Sequence, residues 1–194
     1  LSHSEKALRM AEGLREIVEM AGSRNIADTP IAVVIEDFDD RNSPIACVSG
    51  MKWFAEQVPG LCFTFDTGNF IIHGEDIFAA WEELKDKVVH VHCKDRKISA
   101  EKLLKVQKTE SSEPLKVQKT ESDEPLQAQE NTTLDIKECY LPAAVGEGCI
   151  PIKELVYKMK EYGYRGYLAI EHFDAADQEA YMQKSAANLQ EYCS

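Results

Sequence analysis

Apolar positions along this chain switch repeatedly between helical and strand spacing. Leu8, Ala11, Leu14, Ile17, Val18 and Ala21 recur at helical intervals, which predicts an amphipathic helix over residues 4–21. Pro30 then precedes a short β-branched run, "IAVVIE", which predicts a strand ending at Glu36. Ser43-Pro44 reads as a helix start with proline at the first helical position, and that helix runs to about Val58, where Pro59-Gly60 punctuates it. "LCFTFD" is a second strand, ending at Asp66. Residues 75–87 read as a helix through Ile77, Phe78, Trp81 and Leu84, and "VVHVH" as a third strand. Near the end, residues 151–162 are helical, "GYLAIE" is a fourth strand ending at Glu171, and residues 177–192 form a last helix.

Strands alternating with helices predict an α/β fold with a parallel sheet and crossover helices. The strands are almost wholly apolar, as expected when both faces of a sheet are covered. Glu36 and Asp66 lie 30 residues apart and Asp66 and His92 lie 26 apart, each the length of one βα unit. His92 and Glu171 lie 79 apart, so that unit carries roughly 50 extra residues. Within them "KVQKTESSEPL" (105–115) is followed by "KVQKTESDEPL" (116–126), identical but for Ser112 and Asp123. This tandem repeat is polar and charged with one proline per copy, a composition that does not pack a core. Two copies are too few for a solenoid, and the expectation is a surface excursion spanning about 97–142, inserted in one domain of 1–194.

Composition narrows the partners. Of 194 residues 44% are hydrophobic, enough for a sizeable core, and no apolar run is long enough for a membrane span. A formal net charge of −12 repels nucleic-acid phosphates and anionic membranes, so neither is expected as a partner. The six cysteines form no CxxC pair and several sit in apolar runs, which fits free thiols in a reducing, cytoplasmic compartment. No signal-peptide pattern opens the chain, and its first residue is Leu.

Each of the four strands ends in a residue able to bind a metal: Glu36, Asp66, His92 and Glu171. In a parallel α/β barrel the carboxyl ends of the strands meet at one rim, where catalysis sits. Three carboxylates and an imidazole suit Mn²⁺, Mg²⁺, Co²⁺ or Zn²⁺, and such a site takes hydroxyl and carbonyl oxygens of a substrate. A single terminal carboxylate is as often a helix cap; it is the joint pattern that points to metal. His90 and His92 share a strand face, so one of them can be a ligand and the other an interior or substrate-contacting residue.

The stretches "VVIEDF", "FTFDTGNF", "VVHVHCKD" and "VGEGCIPIKELVYKMKEYGYRGYLAIEHF" resemble the xylose-isomerase-like TIM-barrel superfamily of sugar isomerases and epimerases, which includes D-tagatose 3-epimerase. The last stretch is the most specific, with Gly146 and Gly148 in a turn, then a helix, then Gly163-Tyr164 and Gly166 before a strand that ends in Glu171. The resemblance implies that Glu36, Asp66, His92 and Glu171 are the metal ligands and favours His92 over His90. It also implies substrate contacts from His90, from Asn69 (where the epimerases usually carry a histidine), and from Lys94 or Arg96. These four strands look like the last four of an eight-stranded barrel. The expectation is therefore either a piece of a longer protein or a chain that pairs with another copy or a partner.

What the resemblance implies chemically is isomerisation or epimerisation of a small sugar next to a carbonyl. One divalent ion, with Mn²⁺, Co²⁺ or Mg²⁺ favoured, would polarise the substrate and support a metal-bound enediolate. Glu36 and Glu171 would act as the acid/base pair as well as ligands. A lyase or dehydratase acting on a keto-sugar or inosose is an alternative, and so is a truncated, non-catalytic barrel. Endonuclease IV-like DNA repair needs a trinuclear zinc site with more histidines, and five histidines with a −12 charge fit it poorly.

Overall fold

Four parallel strands carry the candidate residues: β3 (Val34–Glu36), β4 (Cys62–Asp66), β5 (Val88–Cys93) and β8 (Tyr167–Ile170), paired in the order β3-β4-β5-β8. The structure is a computed structural model and describes residues 4–23, 25–26, 29–102 and 136–194. Two short pairs flank the sheet: β1 (Asn25–Ile26) with β2 (Thr29–Pro30), and β6 (Asp95–Ile98) with β7 (Tyr140–Ala143), both antiparallel. The tandem repeat at 105–126 lies outside the described residues.

Five α-helices described over their whole length accompany the strands. α1 (Glu5–Gly22) starts where Ser4 accepts the backbone N–H of Ala7. α2 spans Val48–Gln57 and α3 spans Ile77–Leu84. α4 (Ile152–Tyr162) stops at Gly163, whose φ of 88° is a left-handed conformation suited to glycine. α5 (Gln178–Cys193) is capped by Asp177, which accepts from Ala180, as Asp76 accepts from Ala79 at the start of α3.

The expected helix start at Ser43-Pro44 gives way to turns, and α2 begins at Val48. Pro44 fills a turn in which Ala46 N–H donates to the Ser43 carbonyl and Phe38 N–H donates to the Ile45 carbonyl. The first amide of the helix, on Val48, is held instead by the carboxylate of Glu75, a contact 27 residues away in sequence.

Strand alternation sorts the side chains. Phe63, Phe65, Val91 and Cys93 point to the helical layer and join Phe54, Met51, Leu61 and Trp81 in the core. Phe65 packs edge-on against Trp81, with ring centroids 5.7 Å apart, and in a tilted arrangement against Phe70, with centroids 4.8 Å apart. The opposite face carries Glu36, Thr64, Asp66, His90 and His92, aligned by the pairings Glu36↔Thr64, Thr64↔His90 and Asp66↔His92. The expectation that both sheet faces are covered is therefore corrected: helices cover one, and Tyr167 on the other is 80% exposed. All six cysteines are free thiols, and no helix of the described residues is long and apolar enough to cross a membrane.

Candidate functional site

Glu36 and Asp66 close their strands, His92 is the penultimate residue of β5, and Glu171 follows β8 directly. The Glu171 N–H donates to the Cys93 carbonyl at 3.2 Å, so the β5–β8 pairing extends to Glu171. One donor atom from each of Glu36, Asp66, His92 and Glu171 lies within 4.8 Å of the other three, the single such cluster among the described residues. His92 Nδ1 is 2.8 Å from Glu36 Oε1 and 2.8 Å from Glu171 Oε2.

Asp66 is fully buried, and its two oxygens differ. Oδ1 accepts the Gly68 N–H at 2.7 Å. Oδ2 has no aligned hydrogen bond, although the Lys94 ammonium lies 2.6 Å away. Burial pushes the Asp66 carboxyl up to about 6, with Lys94 and the Gly68 N–H pulling the other way. Three carboxylates and one imidazole nitrogen within 4.8 Å of one another make a donor set that fits a hard divalent cation.

Lys94 also reaches Glu171 Oε1 at 2.9 Å. Burial opposes its charge, but Asp66 and Glu171 outweigh this and raise its pKa above the ordinary lysine value. Its backbone is pinned by Thr67, whose hydroxyl donates to the Lys94 carbonyl and accepts the Lys94 N–H.

The remaining predicted residues are placed differently. Asn69 is buried with both ends of its amide engaged: Nδ2 donates to the Asp37 carbonyl at 2.9 Å and Oδ1 accepts from Arg96 at 3.1 Å. Arg96 spends a second donor on the Gly68 carbonyl at 2.6 Å. His90 stands outside the four-residue cluster, its ring 5.1 Å from that of His92, with its pKa lowered by burial and then by His92.

Two supporting carboxylates escaped the sequence reading. Asp37 is buried and accepts the backbone N–H of Asp66 at 2.9 Å, which fixes the end of β4. Burial and the neighbouring Asp66 raise its pKa well above the carboxylate range. Asp95 accepts backbone N–H groups from Gly146, Gly148, Ile150 and Arg96. It thus ties the Gly-x-Gly turn to the start of β6, two residues past the end of the strand bearing His92. "EDF" and "KDR" carry no local sign of such partners. Two surface grooves lie elsewhere, one beside α2 and α3 and one of about 550 Å³ between β8 and the two C-terminal helices.

A sequence model of a protein family described as "Xylose isomerase-like TIM barrel" matches residues 2–192. No curated protein matches the chain. Among solved structures, a xylose isomerase domain protein from Planctomyces limnophilus is 18% identical with a TM-score of 0.62, over 98% of this chain and 53% of that one. A probable 3-DHS dehydratase from Bacillus anthracis is 14% identical with a TM-score of 0.62, over 97% of this chain and 58% of that one. D-Psicose 3-epimerase from Clostridium cellulolyticum H10 is 14% identical with a TM-score of 0.60, over 99% of this chain and 57% of that one. The chain thus spans little more than half the length of the structures it matches, and at these identities the likeness shows the fold alone.

Proposed function

The chain belongs to the xylose isomerase-like TIM-barrel family, and we propose that it bears the metal site of a divalent-metal-dependent sugar isomerase or epimerase. The observation carrying this reading is the convergence of Glu36, Asp66, His92 and Glu171 within 4.8 Å at the carboxyl ends of the strands. In this proposal Asp66 Oδ2, His92 Nδ1 and one oxygen each of Glu36 and Glu171 hold Mn²⁺, Co²⁺ or Mg²⁺. When bound, such an ion supplies Lewis acidity that polarises a carbonyl and makes the neighbouring C–H acidic.

The chain's own residues do the rest. Glu36 and Glu171 both reach His92 Nδ1, so they flank one point. One of them takes the proton from the carbon beside the carbonyl and the other returns one, to the opposite face in an epimerisation. Asp37 and the Gly68 N–H hold Asp66 in place. Lys94, whose stem is anchored beside the cluster, supplies an ammonium for a substrate oxygen. Arg96 and Asn69 shape the wall through bonds to each other. In this proposal the edges of β3 and β8, unpaired among the described residues, are extended by further strands to close the pocket, from additional chain or from a second copy. The free thiols fit a reducing compartment, and the cytoplasm is the proposed location.

A lyase reading has one observation behind it. Both ends of the Asn69 amide are engaged within the protein, so a sugar contact usual in the epimerases is not offered from this position. Incubation with Mn²⁺ and a panel of ketoses in D₂O separates the two. Deuterium entry next to the carbonyl without a new ultraviolet band supports isomerisation or epimerisation. An enone band supports elimination, and neither signal in a metal-loaded protein overturns both.

A further inference from the structure

We propose that the Lys94 ammonium is the resident counter-cation of the cluster and exchanges with the divalent ion, leaving its oxygens when the ion enters; this rests on the metal reading above. Nζ touches Asp66 Oδ2 at 2.6 Å and Glu171 Oε1 at 2.9 Å, and these carboxylates belong to two of the four residues that would ligate the ion. A divalent ion and an ammonium compete for these two carboxylates, because their charges repel at contact distance.

Lys94 is built so that one end is fixed and the other can move. Thr67 holds its backbone by two hydrogen bonds of 2.8 and 2.9 Å. The base of its stem lies against Gly68, where an added Cβ would come within 2.8 Å of Lys94 Cγ. The ammonium has a second perch nearby: it is 5.4 Å from the centroid of the Phe173 ring, and Phe173 is 69% exposed. An aromatic face attracts an ammonium without supplying an anion, so Nζ can swing outward toward solvent and keep a partner. In the exchanged state the ammonium stands at the rim, free to hold an oxygen of the substrate.

The exchange makes lysine and metal alternative occupants, and linkage then fixes the sign of two measurements. Wild type and Lys94→Met are titrated with MnCl₂ by calorimetry, and both are melted with and without saturating Mn²⁺. Lys94→Met is expected to bind Mn²⁺ about tenfold more tightly or better, from the loss of charged contacts that compete with the ion. Without metal the variant melts lower than wild type, since the Asp66 and Glu171 carboxylates lose their cation. With Mn²⁺ bound the two melt alike. Equal Mn²⁺ affinities overturn the exchange and leave the metal reading standing. A melting deficit that persists in the loaded proteins also overturns it, because the lysine would then remain in the cluster beside the ion. Failure of both proteins to take up Mn²⁺ overturns the exchange and the metal reading together. Should Lys94→Met not fold, Lys94→Gln reads the same two quantities.

Discussion

Asp66 and His92 stand directly opposite each other on neighbouring parallel strands, as register partners of β4 and β5. Backbone pairing therefore sets the distance between a carboxylate and an imidazole. The cost falls on Asp66, buried and pushed up to about 6, so its ionised form disfavours the fold relative to its protonated form. A raised carboxyl pKa contributes stability that is present at low pH and lost as pH rises through it. Metal-free wild type should thus lose up to about 3 kcal/mol from this group between pH 4 and pH 7. Asp66→Asn should remove that slope in urea unfolding, match or exceed wild-type stability at pH 7.5, and bind Mn²⁺ far more weakly. A variant clearly less stable than wild type at pH 7.5 would contradict the sign.

His172 predicts a slope of opposite sense. Its Nε2 pairs with the Ser185 hydroxyl at 3.1 Å, its Nδ1 is buried without a partner, and burial lowers its pKa. A depressed imidazole pKa gives stability present above about 6.5 and lost as pH falls, since protonation would bury a charge on Nδ1. The difference in unfolding free energy between pH 7.5 and pH 5.5 should shrink in His172→Gln. An unchanged difference would remove His172 from the account.

Asp95 should rank among the costlier polar residues to remove. Each oxygen receives two backbone N–H groups, Oδ1 from Arg96 and Ile150 and Oδ2 from Gly146 and Gly148. Asp95→Ala strands all four donors and is expected to cost about 3 kcal/mol, while Asp95→Asn keeps one accepting oxygen and costs about half. Chemical denaturation of both variants checks the order, and equal losses would mean that the turn does not depend on these bonds.

Two glycines give contrasting expectations. An added Cβ at Gly148 would meet Asp95 Oδ1 at 2.1 Å and the Arg96 carbonyl at 2.4 Å. Gly148→Ala should cost about 1–3 kcal/mol and loosen the same turn. Gly13 lies inside α1 with nothing within 4 Å of its missing Cβ, so Gly13→Ala should stabilise by about 0.5–1 kcal/mol. Melting temperatures moving in opposite directions are the expected result.

The sequence was most informative where period and punctuation agreed. "LCFTFD" and "VVHVH" read as strands because Phe63, Phe65 and Val91 face a helical layer, and their last polar residues fell where the sheet ends. The start of α2 misled because Ser43-Pro44 satisfies a local rule, whereas the amide of Val48 is held by distant Glu75. The β6–β7 pair was hidden because Asp95–Ile98 finds Tyr140–Ala143 only across the long polar segment between them. Periodicity reports which face a residue shows, and it is silent on partners. That is why Glu36 and Glu171 could be singled out while the hold of Asp37 on Asp66, or of Asp95 on the glycine turn, could not.

The strand order β3-β4-β5-β8 also has a consequence in time. β3, β4 and β5 follow one another closely in sequence and can pair early, whereas β8 pairs with β5 across the sequence separation from Cys93 to Tyr167. Closing so long a loop is slow relative to local pairing. A nascent chain therefore presents Glu36, Asp66 and His92 together first, and Glu171 completes the set as the last strand docks. Capture of a metal ion by all four donors would mark the finish of folding rather than its nucleus.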